Sequence, residues 1–180
     1  MVEVTNVSKK YGEKTVLEKT SVVIPKGKIT SFIGPNGAGK STLLSIMSRL
    51  IKADSGSISI EGKNIENIDS SDLAKKMSIL KQSNQLNIRL SVRELVNFGR
   101  FPYSKGRLTK SDEQAVDQAL SYMKLESIQD KYLDELSGGQ CQRAFIAMVI
   151  AQDTEYIFLD EPLNNLDMKH SVEIMKLLKR

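Results

Sequence analysis

The sequence predicts one α/β domain carrying an all-helical insertion, and three observations predict it. The apolar stretch 29-ITSFIG-34 runs straight into a glycine loop, followed by helical apolar spacing. A second apolar stretch, 155-EYIFLD-160, ends in carboxylates. Between them, from Ser91 to about Ile128, the apolar residues recur at helical spacing and no strand candidate interrupts them. Strands joined through helices imply an α/β core.

Taken in order, residues 2–8 and 20–33 alternate apolar and polar side chains, with pauses at Gly12 and 25-PKG-27, and predict N-terminal strands that end in 29-ITSFIG-34. Leu43, Leu44, Ile46, Met47 and Leu50 predict a helix from Lys40 to Leu50. The alternating 55-SGSISIEGKNI-65 predicts a hairpin or edge strand, and 78-SILKQ-82 a short strand. Leu95, Val96 and Phe98, then Ala115, Val116, Ala119, Leu120 and Met123, predict helices broken by 101-FPYSKGRL-108. A helix over about 138–152, a strand over 155–160 and a helix from about Asp167 close the chain.

Composition narrows the class. The chain has 180 residues, 40% of them hydrophobic and 27% charged, which suits one globular domain rather than a disordered chain. No apolar run approaches the roughly 18–20 residues that span a bilayer. The polar N-terminus MVEVTNVSKKYGEKT has no signal-peptide core, so the chain is expected to stay in the cytoplasm. Cys141, the single cysteine, excludes an internal disulfide and suits a reducing compartment. The net charge of +4 fits a solubilising surface, or a weak preference for an acidic membrane or partner. Nucleic acid is not expected, because no basic stretch carries interleaved aromatics.

Three motifs carry chemistry. The segment 34-GPNGAGKS-41 fits a phosphate-binding loop at every fixed position. Gly34, Gly37 and Gly39 let successive N–H groups turn inward, around Pro35, Asn36 and Ala38. With the positive end of the following helix, about half a charge, those groups can hold a β-phosphate. Lys40 adds charge at the β/γ oxygens, and the Ser41 hydroxyl, followed by Thr42, is placed for Mg²⁺. In 156-YIFLDEP-162, Asp160 arrives at the carboxyl edge of a buried strand, where it can help hold the metal, and Glu161 can act as general base. The third motif is 136-LSGGQCQRAF-145. Ser137 is a strong N-cap, Gly138 and Gly139 free the first turn, and Ala144, Ala147, Met148 and Ala151 form a buried face. This is a second helix-terminus anion site. If the two sites lie on separate subdomains, two-fold symmetry would let each phosphate loop face the other subunit's serine–glycine turn.

The order of these motifs resembles that of ATP-binding-cassette (ABC) ATPases along essentially the whole chain: GPNGAGKS resembles Walker A, LSGGQ the signature including Gln140, and FLDEP Walker B. The resemblance implies a P-loop NTPase of the ABC-cassette fold: a RecA-like α/β core, an N-terminal antiparallel β subdomain and an inserted α-helical signature subdomain. Residues 1–180 would form one such domain, with 1–90 and 153–180 as core and about 91–152 as the helical part. It further implies that Tyr11 stacks on adenine, that Gln82 links the metal to the membrane subunit, and that Asp167 of 163-LNNLD-167 lies at a dimer interface. From the residues alone, Gln82 reads more readily as a solvated loop glutamine, and Tyr11 as a strand-end packing residue.

The implied cofactors are ATP and Mg²⁺. The implied partners are permease subunits of an ABC importer, a second copy in an ATP-sandwich homodimer, and a substrate-binding protein acting indirectly, at the cytoplasmic face of the membrane. 98-FGRFPY-103 and LNNLD are similar to ATPases of iron–siderophore importers of the petrobactin or catecholate type, with zinc, haem and cobalamin importers as alternatives. Soluble DNA-repair and translation ATPases fit less well: the signature follows Walker A too closely for a coiled-coil insertion, and the chain carries one cassette. Two departures stand out. Cys141 occupies a position where the family often has Arg or Gln, and reads as a small helix residue. His170 lies too near Walker B to be the family's switch histidine, so the chain is expected to stop before the final strands and helices, as a fragment or as a truncated cassette with little hydrolysis.

Overall fold

The computed structural model describes residues 1–81 and 88–162; Gln82, the LNNLD stretch with Asp167, and His170 lie outside the described residues. The chain divides into two compact units, Met1–Leu73 and Ala74–Arg180.

The first unit is built on a four-stranded antiparallel sheet, ordered β2-β1-β3-β4: β1 (Val2–Tyr11), β2 (Lys14–Ile24), β3 (Ser55–Ile60) and β4 (Lys63–Asn64). Val4 lies opposite Val22 on one side and Ile58 on the other. Val2 and Val4 point inward, and a bulge at Asn6 (φ +50°) then shifts the register so that Val7 also faces the core. Without the bulge, period-two alternation would turn Val7 to solvent. The bulge is fixed by its neighbours. The Asn6 N–H donates to Ser21 Oγ (2.8 Å), and Gly56, at φ +87°, packs so closely that a Cβ would lie 2.5 Å from the Asn6 carbonyl. Helix α1 (Lys40–Met47) buries Leu43, Leu44, Ile46 and Met47 as their spacing predicts, but it ends before Leu50, which is 49% exposed.

The second unit pairs β5 (Met77–Leu80) with β6 (Tyr156–Leu159) in parallel, Met77 opposite Tyr156 and Leu80 opposite Leu159. Between these strands run α3 (Val92–Phe98), α4 (Phe101–Ser104), α5 (Lys110–Tyr122) and α6 (Gly138–Ala151). Val92, Leu95 and Val96 of α3 and Val116, Ala119 and Leu120 of α5 pack in one core with Ala144, Ile146, Ala147 and Val149 of α6. Gly99, the residue after α3, lets the backbones meet: a Cβ there would stand 2.1 Å from the Met148 carbonyl oxygen. Capping boxes set three of the starts, Ser91 with Glu94, Thr109 with Asp112, and Ser137 with Gln140.

Three expectations change. The stretch 29-ITSFIG-34 is not a strand; no strand among the described residues pairs with it, and Ile33 is 95% exposed. Apolar composition creates the demand for a strand, but a strand exists only where a neighbour completes its ladder. The break at 101-FPYSKGRL-108 holds a helical turn, α4, because Pro102 in its first turn costs no intrahelical bond. Helix α2 (Ser70–Lys76) has no counterpart in the sequence reading; Asp72 near its start and Lys75 and Lys76 at its end suit the helix dipole. Within 1–81 and 88–162, no helix is long and apolar enough to cross a membrane.

Candidate functional site

The phosphate loop leaves 29–34 and ends at α1. Residues 34–38 are exposed and Gly39 is buried. Gly37 (φ +80°) and Gly39 (φ +88°) both adopt left-handed backbone, and Gly39 is the N-cap of α1 with no side-chain cap. Because no side chain covers that end, the first N–H groups of α1 open toward the loop, and Ser41 and Thr42 sit in its first turn. Lys40 bends back over the loop, its ammonium donating to the carbonyl oxygens of Gly34 (2.8 Å) and Pro35 (2.9 Å). The lysine thereby holds the loop's shape and brings a full charge to it.

Gly39 tolerates no side chain. A Cβ would stand 2.8 Å from Leu17 Cδ2 and 2.9 Å from the Val16 carbonyl oxygen, at a backbone angle that only glycine adopts cheaply. Gly39→Ala should therefore lose about 1–3 kcal/mol of stability from left-handed strain, read from urea unfolding without nucleotide. An unchanged midpoint would mean that the loop relaxes freely around the methyl group.

In the second unit, the Asp160 N–H donates to the Leu80 carbonyl (2.9 Å), so the parallel ladder carries Asp160 to the carboxyl end of β6. Glu161 follows with φ +49°, a left-handed conformation that costs a non-glycine residue roughly 1–2 kcal/mol. That turn ends the extended run of β6 between Asp160 and Glu161. The Gln142 side-chain amide of α6 donates to the Pro162 carbonyl (2.9 Å) and ties the signature helix to the residue after Glu161. Nothing in the sequence marks Gln142, because a glutamine in a helix gives no hint of a partner twenty positions away.

The serine–glycine turn is a working N-cap. Ser137 Oγ accepts from the Gln140 N–H (3.3 Å), and Gln140 Oε1 accepts from the Ser137 N–H (3.0 Å). The box uses the third N–H and leaves Gly138 and Gly139 at the open, side-chain-free end of α6. Ala144, Ala147 and Ala151 are buried as their spacing predicts, while Met148 is only half-buried. Cys141 is also half-buried, and burial pushes its thiol above the ordinary range, which suits a packing residue. Tyr11 ends β1 with half its surface exposed, beside the Gly12 turn (φ +57°). Lys40, Ser41 and Tyr11 thus belong to the first unit, and Asp160, Glu161 and residues 137–140 to the second.

Comparison with known proteins supplies the kinship. The profile of the ABC transporter family matches residues 17–164. The petrobactin import ATP-binding protein YclP of Bacillus subtilis (strain 168) is 80% identical over all 180 residues, which span 71% of that protein. FatE of Bacillus anthracis, also a petrobactin import ATP-binding protein, is 51% identical over the same length and is covered to 72%. Among solved structures, MJ0796, a dimeric bacterial ABC transporter cassette, superposes with a TM-score of 0.87 at 31% identity, over 99% of this chain and 81% of that one. The glycine loop that runs into α1, the capped helix α6 and the acid-tipped parallel strand are thus parts of an ABC cassette fold, and the chain belongs to the ABC transporter family of ATP-binding proteins.

Proposed function

We propose that this chain binds and hydrolyses ATP as the motor subunit of an ABC importer that brings an iron–siderophore complex, of the petrobactin type, into the cell. The observation that carries the reading is the 80% identity, over every residue, to a petrobactin import ATP-binding protein. In this reading residues 1–90 and 153–180 form the catalytic core and about 91–152 the helical signature part. The chain works at the cytoplasmic face of the membrane against permease subunits, and a substrate-binding protein acts on it only through them.

Each residue then takes a role. Tyr11 stacks on adenine. The N–H groups of the 34–39 loop and the first turn of α1, through Thr42, cradle the phosphates, and Lys40 neutralises charge as the terminal phosphoryl group transfers. Ser41 and Asp160, with the Gln82 amide oxygen, are hard oxygen donors of the kind Mg²⁺ takes; bound there, the ion would neutralise phosphate charge. Glu161 accepts the proton of the attacking water. Ser137, Gly138, Gly139 and Gln140 serve the nucleotide held by a second copy, with Asp167 at the shared face, so two ATP molecules join two chains.

Uptake of radio-iron by cells tests the substrate. Deleting the gene that carries this chain should abolish import from petrobactin and leave zinc, haem and cobalamin import intact. Loss of one of those instead would reassign the importer.

A further inference from the structure

Among the charged arrangements of the first unit that the roles above leave unused, one gathers at Tyr11. Lys9 and Tyr11 are two residues apart on β1, so their side chains rise from the same side of the strand. The Lys9 ammonium lies 5.7 Å from the centroid of the Tyr11 ring. It is held there: Asp54 Oδ1 accepts from Lys9 Nζ at 2.7 Å, and Asp54 Oδ2 accepts from the Lys10 backbone N–H at 2.7 Å. The Asp54 N–H in turn donates to the Ser8 carbonyl oxygen (3.0 Å), which seats Asp54 at the head of β3 opposite the end of β1. The lysine's hydrogen bond, and then that of the Lys10 N–H, keep the Asp54 carboxyl below the ordinary carboxylate range, so Asp54 is ionised at neutral pH.

The burial of the two side chains differs. The Lys9 side chain is only 16% exposed, whereas Tyr11 is 51% exposed. A cation over one face of an aromatic ring fixes that face and restricts the ring's rotation. A base can then stack only on the other. Lysines on strand surfaces ordinarily point their ammonium into water; here Asp54 Oδ1 holds this one near the ring, while Oδ2, on the Lys10 N–H, fixes the carboxylate itself.

We infer that Lys9, anchored by Asp54, is a positioning residue for the nucleobase: it closes one face of Tyr11 and presets the other for stacking on a purine. The inference rests on the reading of Tyr11 as the adenine-stacking residue. Its consequence is a lower ordering cost on binding, because the ring is oriented before the base arrives. Lys9 contributes through Tyr11 and does not touch the triphosphate.

The experiment compares two probes, Mg·ATP and inorganic tripolyphosphate with Mg²⁺, titrated into the whole chain and into variants. Tyr11→Ala should weaken ATP and leave tripolyphosphate unchanged. Lys9→Met and the isosteric Asp54→Asn should each weaken ATP by about 2–5-fold, the size of an exposed cation–π contact, again without touching tripolyphosphate. In a Tyr11→Ala background, Lys9→Met should then have no further effect. A loss shared by both probes would overturn the inference, since Lys9 would be acting as a phosphate charge. So would a Lys9→Met effect of the same size with Tyr11 removed, or silence of Lys9→Met where Tyr11→Ala weakens ATP. If Tyr11→Ala itself leaves ATP binding intact, the adenine reading fails, and the inference falls with it.

Discussion

Glu161→Gln should bind ATP as tightly as the parent chain, hydrolyse it roughly 10²–10⁴-fold more slowly, and accumulate as a dimer when Mg·ATP is present. The amide matches the carboxylate in shape but cannot take a proton from water. It also adds no backbone strain of its own, because the left-handed turn at φ +49° is imposed by the chain around it. The Asp160–Leu80 bond on one side and the Gln142–Pro162 bond on the other hold that turn, and neither uses the Glu161 side chain. Turnover assays and sedimentation velocity, with and without Mg·ATP, read the two halves separately. Hydrolysis within a few-fold of the parent would remove Glu161 from the role of base. A chain that binds ATP and stays monomeric would refute the reading in which the signature turn serves a second copy.

The largest effect on stability is expected at Asp112. Asp112 is 3% exposed and Arg100 is 7% exposed, so the pair is buried. Arg100 Nε donates to Asp112 Oδ1 (2.9 Å) and Arg100 Nη1 to the Ala151 carbonyl (2.9 Å), joining α5 to the end of α6. Asp112 Oδ2 meanwhile accepts from the Thr109 N–H (2.9 Å) and hydroxyl (2.7 Å) and caps α5. Asp112→Ala leaves a guanidinium buried without its counter-charge and uncaps the helix, and should cost about 3–5 kcal/mol in urea unfolding. A loss under 1 kcal/mol would mean that water reaches Arg100 in the folded state.

Acid should have the same effect, gradually. The Thr109 bonds, and then those of Arg100, hold the Asp112 carboxyl below its ordinary range against the opposing cost of burial. The folded value is depressed, so its stabilisation is complete above the unfolded pKa of about 3.9 and is lost as pH falls through the lower folded value. Asp112→Asn should flatten that part of the pH profile.

Much of the chemistry was legible because it is local. Ser137 with Gln140, and the glycines from 34 to 39, announce their backbone geometry within a few residues. The strand at Tyr156–Leu159 was legible for the same reason: four largely apolar residues end at an acid. What the sequence hid is what the chain brings together from a distance. Arg100 stands in 98-FGRFPY-103, a stretch that serves as a family resemblance when read alone; in space it is a buried cation between α5 and α6, with its guanidinium 4.0 Å over the Tyr103 ring. The Gly99 contact with Met148 is equally invisible, since a glycine after a helix reads as a terminator and not as a crossing point. The expected strand at 29–34 failed for the opposite reason. Its residues state a preference, and the described residues supply no partner strand for it.

The parallel pairing of β5 with β6 also sets an order of events. Leu80 and Leu159 face each other across nearly the whole helical segment, so this ladder cannot close until residue 159 has been synthesised. At about 5–20 residues per second, the ribosome needs several seconds to travel from one strand to the other. The helices between them can form in microseconds, and most residues of their shared core belong to that segment, with Leu80 of β5 among them. During synthesis α3 and α5 therefore precede the pairing of β5 with β6, the ladder that β5 makes among the described residues.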